Sequence, residues 1–206
     1  MATPDYARAR RHLARCDPVL AAVVRRVGAC GLGQGDHRDL FQVLLGTIVS
    51  QQLSAKAAAT IHDRVVALAG GGKMTAEGLL AVEPTALRLA GLSTRKVEYV
   101  RDLAARVVSG TLSRRHVAHL SDEDAIAALT QVRGIGRWSA EMVLMFHLLR
   151  PDVLPLDDVS LLNAAQRVYG FRSRPTPMRF TRLAEPWRPW RSVACWYLWA
   201  AAEGDD

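Results

Sequence analysis

Residues 130–140 read TQVRGIGRWSA, and an apolar run separates them from PLDD at 155–158. Two glycines flank Ile135 between two segments with helical periodicity. Because glycine lacks the Cβ that blocks positive φ and close backbone approach, this spacing predicts a tight hairpin between two helices. The second helix is expected to begin near Arg137 and to end near Leu149, with unpaired amides at its start. Such amides bind anions, phosphate above all, although an ordinary turn between core helices has the same pattern.

The hairpin resembles the helix-hairpin-helix signature of the DNA glycosylase superfamily, and Asp158 falls where that superfamily carries its catalytic aspartate. Three features resemble the 3-methyladenine-DNA glycosylase II branch in particular. They are Trp138, where bifunctional members carry a lysine, and the tracts WRPWRS at 187–192 and IVSQQLS at 48–54. The resemblance covers about residues 38–202. Arg133 departs from the proline common at this position, which removes some rigidity from the turn.

An all-α fold is predicted, because half of the 206 residues are hydrophobic and strand-like alternation is nearly absent. The resemblance implies the helix-hairpin-helix DNA glycosylase fold, with two interlocked helical subdomains and a cleft between them. One subdomain is expected to comprise residues 1–49 and 151–206, and the other residues 50–150. Helix starts are predicted from capping residues, which are Thr3, Asp17, Ser54 and Ser121.

The formal net charge of +7 suits a polyanionic partner such as DNA. Charge alone is weak evidence, because only three residues are lysines and an arginine bias can reflect genome composition. The three cysteines are widely spaced and form no C-x-x-C pair, which predicts free thiols in a reducing compartment. The four-cysteine loop that holds an iron–sulfur cluster in some relatives is not found in the sequence. No apolar run reaches the roughly 20 residues that span a membrane. We therefore expect a cytoplasmic protein, nucleoid-associated in a bacterium.

The resemblance implies a base pocket formed by Trp138, Trp199 and Met142. It also implies that the loop after residue 50 enters the DNA minor groove, with Gln52 as the plug that fills the gap left by the extruded base. Leu53 is the neighbouring wedge. Without the resemblance, this loop reads as a solvated connection between helices.

The phosphate-binding hairpin implied by the resemblance comprises Arg133, Gly134, Ile135, Gly136 and Arg137. Main-chain carbonyls of Thr130, Val132 and Ile135 fall where such hairpins often hold a structural Na⁺ or K⁺. The sequence contains no set of side-chain ligands for zinc or a transition metal.

Asp158 has two interpretations. An aspartate that opens a helix is usually a cap, and here Asp157 could cap while Asp158 acts in catalysis. The resemblance implies a monomeric, monofunctional glycosylase that flips alkylated purines such as 3-methyladenine out of duplex DNA and hydrolyses the N-glycosidic bond. A glycosylase for uracil, hypoxanthine or an oxidised purine remains an alternative. So does a non-catalytic helix-hairpin-helix module that only binds DNA.

Overall fold

The computed structural model describes residues 4–33, 39–71 and 74–203. Every regular element in these ranges is helical, which confirms the predicted all-α class. In chain order the α-helices are α1 (Tyr6–Cys16), α2 (Pro18–Val27), α3 (Leu40–Ser50), α4 (Ala55–Leu68), α5 (Ala76–Ala81), α6 (Pro84–Leu89), α7 (Thr94–Val108), α8 (Arg114–His119), α9 (Asp122–Thr130), α10 (Arg137–Met142), α11 (Val159–Val168), α12 (Pro177–Ala184) and α13 (Arg191–Glu203). A π-helical turn, Val143–His147, follows α10, and a 3₁₀ turn, Glu185–Trp187, follows α12. None of the helices in these ranges has both the length and the apolar character to cross a membrane.

Side-chain caps fix most of the helix starts. Asp17, Ser54 and Ser121 each accept a backbone N–H from the first turn of the following helix, as the sequence predicts. The expected cap at Thr3 lies outside the described residues. Asp5 caps α1 by accepting the Arg8 amide.

The helix after the hairpin is shorter than the sequence predicts. The α-helical part ends at Met142 and the π-helical turn ends at His147, so the run stops before Leu149. Leu149 adopts a left-handed conformation with φ 55°, and the Arg150 amide donates to the Leu144 carbonyl at 2.8 Å. Pro151 also disfavours the helical conformation at Arg150, so the helix cannot resume after Leu149.

The chain divides into two compact units, residues 1–36 with 144–206 and residues 37–143. The sequence placed residues 1–49 with both termini, whereas α3 groups with the second unit. The reason is packing: α3 is apolar on most of its surface and packs against α4 and α7. We refer to residues 37–143 as the hairpin unit and to the other as the terminal unit.

In the terminal unit, α1 and α2 pack with α13, and α13 packs with α11. Asp17 is buried at the start of α2, where its carboxylate accepts the Trp187 indole N–H at 2.9 Å and the Tyr169 hydroxyl at 2.6 Å. Burial and then this carboxylate raise the pKa of Tyr169, so the phenol stays protonated and donates. Asp17 thereby joins the N-terminal helices to the tract WRPWRS at residues 187–192, which we call the tryptophan block.

Candidate functional site

The hairpin joins α9 to α10 through residues 131–136. Gly134 has a φ of 84°, and a Cβ added there would lie 2.3 Å from Cδ2 of Tyr99. Both the backbone conformation and the packed ring therefore exclude a side chain. This glycine is required by the turn itself, as predicted.

Gly136 differs from Gly134. It is the N-cap of α10 with φ −89° and ψ 174°, a conformation that any residue adopts. A Cβ built on it meets no atom within 4 Å, and no side chain caps α10. The expectation that both glycines serve the turn is thus met only at Gly134. At Gly136 the missing side chain leaves space above the first amides of α10.

An acidic side chain of α7 braces the hairpin. The Arg133 amide donates to Oδ2 of Asp102 at 3.0 Å, and the Arg106 guanidinium donates to the same oxygen at 3.0 Å. Burial raises the pKa of Asp102, but these two hydrogen bonds and the nearby guanidinium charges outweigh it and hold the pKa below the usual value. The turn is therefore held by a carboxylate that remains ionised at neutral pH.

The loop after α3 is held at its base by two side chains. Gln51 donates through Nε2 to the Gly134 carbonyl at 2.7 Å, which fastens the loop to the hairpin. Lys96 donates through Nζ to the carbonyls of Val49 and Gln51 at 2.8 and 2.7 Å. Burial lowers the pKa of Lys96. These carbonyls lie 47 and 45 residues away in the sequence, so no local pattern indicates the role of Lys96.

The tip of this loop carries the predicted plug and wedge. Gln52 is exposed and adopts a left-handed φ of 58°, which is uncommon for a residue with a Cβ. Leu53 is 39% exposed, which is unusual for a large apolar side chain next to a packed helix. A loop that is fixed where it leaves the helix and protrudes at its tip is suited to insertion between stacked nucleobases.

Arg137, predicted to anchor phosphate, is paired with carboxylates. Its NH1 and NH2 groups donate to the two oxygens of Glu123 at 3.0 and 2.6 Å, and its Nε donates to Glu141 at 3.0 Å. The bidentate hydrogen bonds with Arg137 hold the pKa of Glu123 below its ordinary value. A phosphate that binds this guanidinium has to compete with Glu123.

The predicted pocket residues of the hairpin unit lie on α10. Trp138 follows the first helical residue and is 47% exposed, while Met142 ends the helix and is half-buried. An indole this exposed lies far from the usual burial of tryptophan. Trp138 therefore leaves nearly half of its side chain accessible, and its role in the pocket stays a prediction.

In the terminal unit, Asp158 is buried and serves as the N-cap of α11. Its Oδ1 accepts the Leu161 amide and the Ser160 hydroxyl, each at 2.6 Å. Asp157 is exposed. The suggested split, with Asp157 as cap and Asp158 in catalysis, is therefore wrong in its first half, because the capping carboxylate is that of Asp158.

Trp199, also predicted to face the base, lies on α13. Its indole N–H donates to the Ser160 hydroxyl at 3.0 Å, and its ring centroid lies 5.9 Å from that of Phe146. Phe146 is 39% exposed. Sequence reasoning missed Phe146 because an aromatic residue inside an apolar run is typical of a core. Phe146, Trp199, Ser160 and Asp158 thus form one connected group in the terminal unit.

The tryptophan block holds the segment that leads to Asp158. Arg191 donates through Nε to Oδ1 of Asp152 at 2.8 Å and through NH2 to Oδ2 at 3.0 Å. The buried Ser192 hydroxyl donates to the Arg150 carbonyl at 2.7 Å and accepts the Val153 amide at 2.9 Å. Of the block's tryptophans, Trp187 is fully buried. Residues 150–153 are therefore fixed to the start of α13.

The carbonyls proposed for a monovalent cation lie in the hairpin, where the Val132 carbonyl also accepts the Ile135 amide at 3.0 Å. Within the part of the chain that the structure describes, no three His, Cys, Asp or Glu side chains are grouped to hold a metal ion. The three cysteines are free thiols, two of them buried.

Comparison with known proteins identifies a family over most of the chain. Residues 45–189 match the model of the HhH-GPD superfamily base excision DNA repair protein. The structure of a DNA-3-methyladenine glycosidase from Bacillus halodurans has 36% sequence identity and a TM-score of 0.87, over 100% of this chain and 94% of that one. A Schizosaccharomyces pombe 3-methyladenine DNA glycosylase in complex with abasic DNA has 33% identity and a TM-score of 0.80, over 93% of this chain and 95% of that one.

A third relative is DNA-3-methyladenine glycosylase 2 of Escherichia coli. It is 30% identical over an alignment of 197 positions, and the alignment covers 90% of this chain and 67% of the relative. These comparisons confirm the resemblance that the hairpin, Asp158 and the tryptophan block indicated. The chain belongs to the HhH-GPD superfamily of base excision DNA repair proteins.

Proposed function

We propose that this protein is a monofunctional DNA glycosylase that excises alkylated bases from duplex DNA by flipping the base and hydrolysing its N-glycosidic bond. The observation that carries the proposal is the buried Asp158 carboxylate, joined through Ser160 to the aromatic side chain of Trp199. A module that only binds DNA needs the hairpin but neither of these residues.

DNA binding is assigned to the hairpin unit. Residues 133–137 contact phosphate, because the amides at the start of α10 have no side-chain cap and Gly136 leaves room above them. Gln52 fills the space of the extruded base and Leu53 wedges the stack. Main-chain carbonyls of Thr130, Val132 and Ile135 are proposed to hold Na⁺ or K⁺, since neutral oxygens without a carboxylate suit a weakly bound monovalent cation. We propose that the protein acts on chromosomal DNA as a monomer.

Asp158 is assigned to the chemical step. As the N-glycosidic bond breaks, positive charge develops on the sugar, and a carboxylate about 4 Å away contributes roughly 4 kcal/mol at an effective dielectric constant near 20. That stabilisation corresponds to about a thousandfold in rate. The same carboxylate can align the attacking water or accept its proton.

The aromatic side chains account for substrate choice. Trp138 and Trp199 were predicted to contact the base, and within the terminal unit the exposed ring of Phe146 lies beside Trp199. An electron-rich ring face stabilises a cation by about 0.5–2 kcal/mol. A methylated purine such as 3-methyladenine is cationic and is already a good leaving group, so it is favoured over neutral bases of similar size.

The reaction stops at the abasic site, because Trp138 stands at the position where bifunctional glycosylases carry a nucleophilic lysine. A lyase attacks the sugar with a lysine and forms a Schiff base. The Lys96 amine donates to the carbonyls of Val49 and Gln51 and so holds the loop after α3, which gives Lys96 a structural role.

The test is an excision assay on duplexes that each carry one lesion. We expect release of 3-methyladenine, little release of uracil, hypoxanthine or 8-oxoguanine, strand cleavage only after added alkali, and no complex trapped by borohydride. Asp158→Asn is expected to abolish release while DNA binding persists, and Asp157→Asn, at an exposed position, serves as the matched control. Equal activity of Asp158→Asn and wild type would end the catalytic assignment. Efficient uracil release with borohydride trapping would place the activity in another branch.

A further inference from the structure

A single hydroxyl connects the base-stacking indole to the catalytic carboxylate. Ser160 is the second residue of α11 and lies 39 residues before Trp199. Its Oγ is 2.6 Å from Oδ1 of Asp158 and 3.0 Å from Nε1 of Trp199.

The chemistry of the three groups fixes the direction of both bonds. An indole N–H can only donate, and an ionised carboxylate can only accept. The Ser160 hydroxyl therefore accepts from Trp199 and donates its own proton to Asp158. A hydroxyl that is polarised by one donor makes a stronger bond to its acceptor, so the two contacts reinforce each other.

The fold does not require this hydroxyl. α11 is already capped, because Asp158 accepts the Leu161 amide at 2.6 Å. Ser160 is exposed rather than packed in the core, and the neighbouring Val159 is 55% exposed. What the hydroxyl adds to this cap is a second hydrogen bond to Oδ1 of Asp158 and a link from that carboxylate to the Trp199 ring.

We propose that Ser160 is a positioning residue of the excision reaction, one that holds the Asp158 carboxylate in a set place relative to the ring on which the base stacks. The inference rests on the proposed function, in which Asp158 acts on the sugar and Trp199 contacts the base. A base stacked on Trp199 then presents its glycosidic bond at a constant offset from the carboxylate. Misplacement of a catalytic group by about 1 Å costs about a hundredfold in rate.

The experiment compares Ser160→Val with Ser160→Thr, which have nearly the same volume and differ in the hydroxyl. Single-turnover excision of 3-methyladenine at saturating enzyme is measured, together with affinity for a duplex with an abasic analogue and with thermal unfolding. Ser160→Val is expected to lose about tenfold or more in the excision rate, the effect of one charge-assisted hydrogen bond. Its DNA affinity and Tm are expected to stay at wild-type values. Ser160→Thr is expected to keep the rate within about threefold.

Two further variants separate positioning from structure. Thr181→Val removes a hydroxyl on α12 that donates to the Pro177 carbonyl of the same helix, and it is expected to leave excision unchanged. In a double-mutant cycle, Trp199→Phe removes the indole donor, and the losses from Trp199→Phe and Ser160→Val are expected to be non-additive.

The outcomes are distinct. The positioning role would be overturned by equal excision rates for Ser160→Val and wild type, or by equal losses in Ser160→Val and Ser160→Thr. In either case an inactive Asp158→Asn would still support the proposed function. Activity in Asp158→Asn would instead remove the proposed function itself.

Discussion

The two glycines of the hairpin allow stability and DNA binding to be perturbed separately. Gly134→Ala places a Cβ 2.3 Å from the Tyr99 ring on a backbone with φ 84°. Gly136→Ser places a side chain in open space on a backbone that any residue adopts. The Gly136→Ser hydroxyl is also positioned to accept the Trp138 or Ser139 amide, as serine does at other helix starts.

The expected magnitudes follow from these geometries. For Gly134→Ala, the left-handed conformation costs about 1–2 kcal/mol and the overpacking against Tyr99 about 1–3 kcal/mol, which together are a large part of a small domain's stability. For Gly136→Ser, the new cap stabilises the fold by a few tenths of a kcal/mol. It also occupies an amide that phosphate needs. The loss of one charge-assisted hydrogen bond lowers DNA affinity about 10- to 100-fold.

The assay pairs urea unfolding with fluorescence anisotropy on undamaged and abasic-analogue duplexes, at roughly 50 and 200 mM salt because phosphate contacts are salt-dependent. Gly136→Ser is expected to unfold at the wild-type urea concentration or above it, and to bind both duplexes more weakly by the same factor. Wild-type affinity in Gly136→Ser would refute phosphate contact at α10. Wild-type stability in Gly134→Ala would refute the steric account of the turn.

Two other predictions concern Gln52 in the loop after α3 and Asp102, the carboxylate that accepts the Arg133 amide of the hairpin. Gln52→Gly relieves the left-handed conformation of Gln52 (φ 58°), so stability is expected to stay or rise by about 1 kcal/mol while excision falls; an unchanged excision rate would show that Gln52 is not the plug. The pKa of Asp102 is lowered from 3.8, so the stability that it contributes is present above that pH and is lost as the pH falls through the lowered pKa. Urea unfolding from neutral pH downward is expected to show a weaker acid dependence in Asp102→Asn than in wild type, and identical curves would contradict the brace.

Local signals predicted the frame of the molecule. Capping residues marked helix starts at Asp17, Ser54 and Ser121, and the glycine spacing located the turn that Gly134 makes. The short helices α8 and α12 were not predicted, because six and eight residues are too few for an apolar periodicity to stand out in the sequence. The cap at Asp158 was misassigned by one residue, since adjacent aspartates carry the same local signal.

Contacts between distant residues accounted for the rest. Three such contacts join residues that lie 31–47 positions apart in the sequence. They are those of Lys96 with the loop after α3, of Ser160 with Trp199, and of Asp102 with the hairpin. No periodicity or spacing in one sequence specifies such pairs. The cation site and the roles of the pocket residues stay predictions.

The pairing of Arg137 with Glu123 limits the affinity that the phosphate contact proposed at Arg137 can add. In the free protein, Glu123 occupies the guanidinium as a phosphate would, and Glu141 holds the remaining edge at Nε. On the proposed contact, phosphate replaces Glu123 at the guanidinium, so the affinity gained at an arbitrary site is reduced by the ion pair that is broken. When the phosphate departs, Glu123 closes the contact again. On this proposal Glu123 competes with phosphate for Arg137, and we expect the competition to shorten residence at an arbitrary site and to favour inspection of many base pairs.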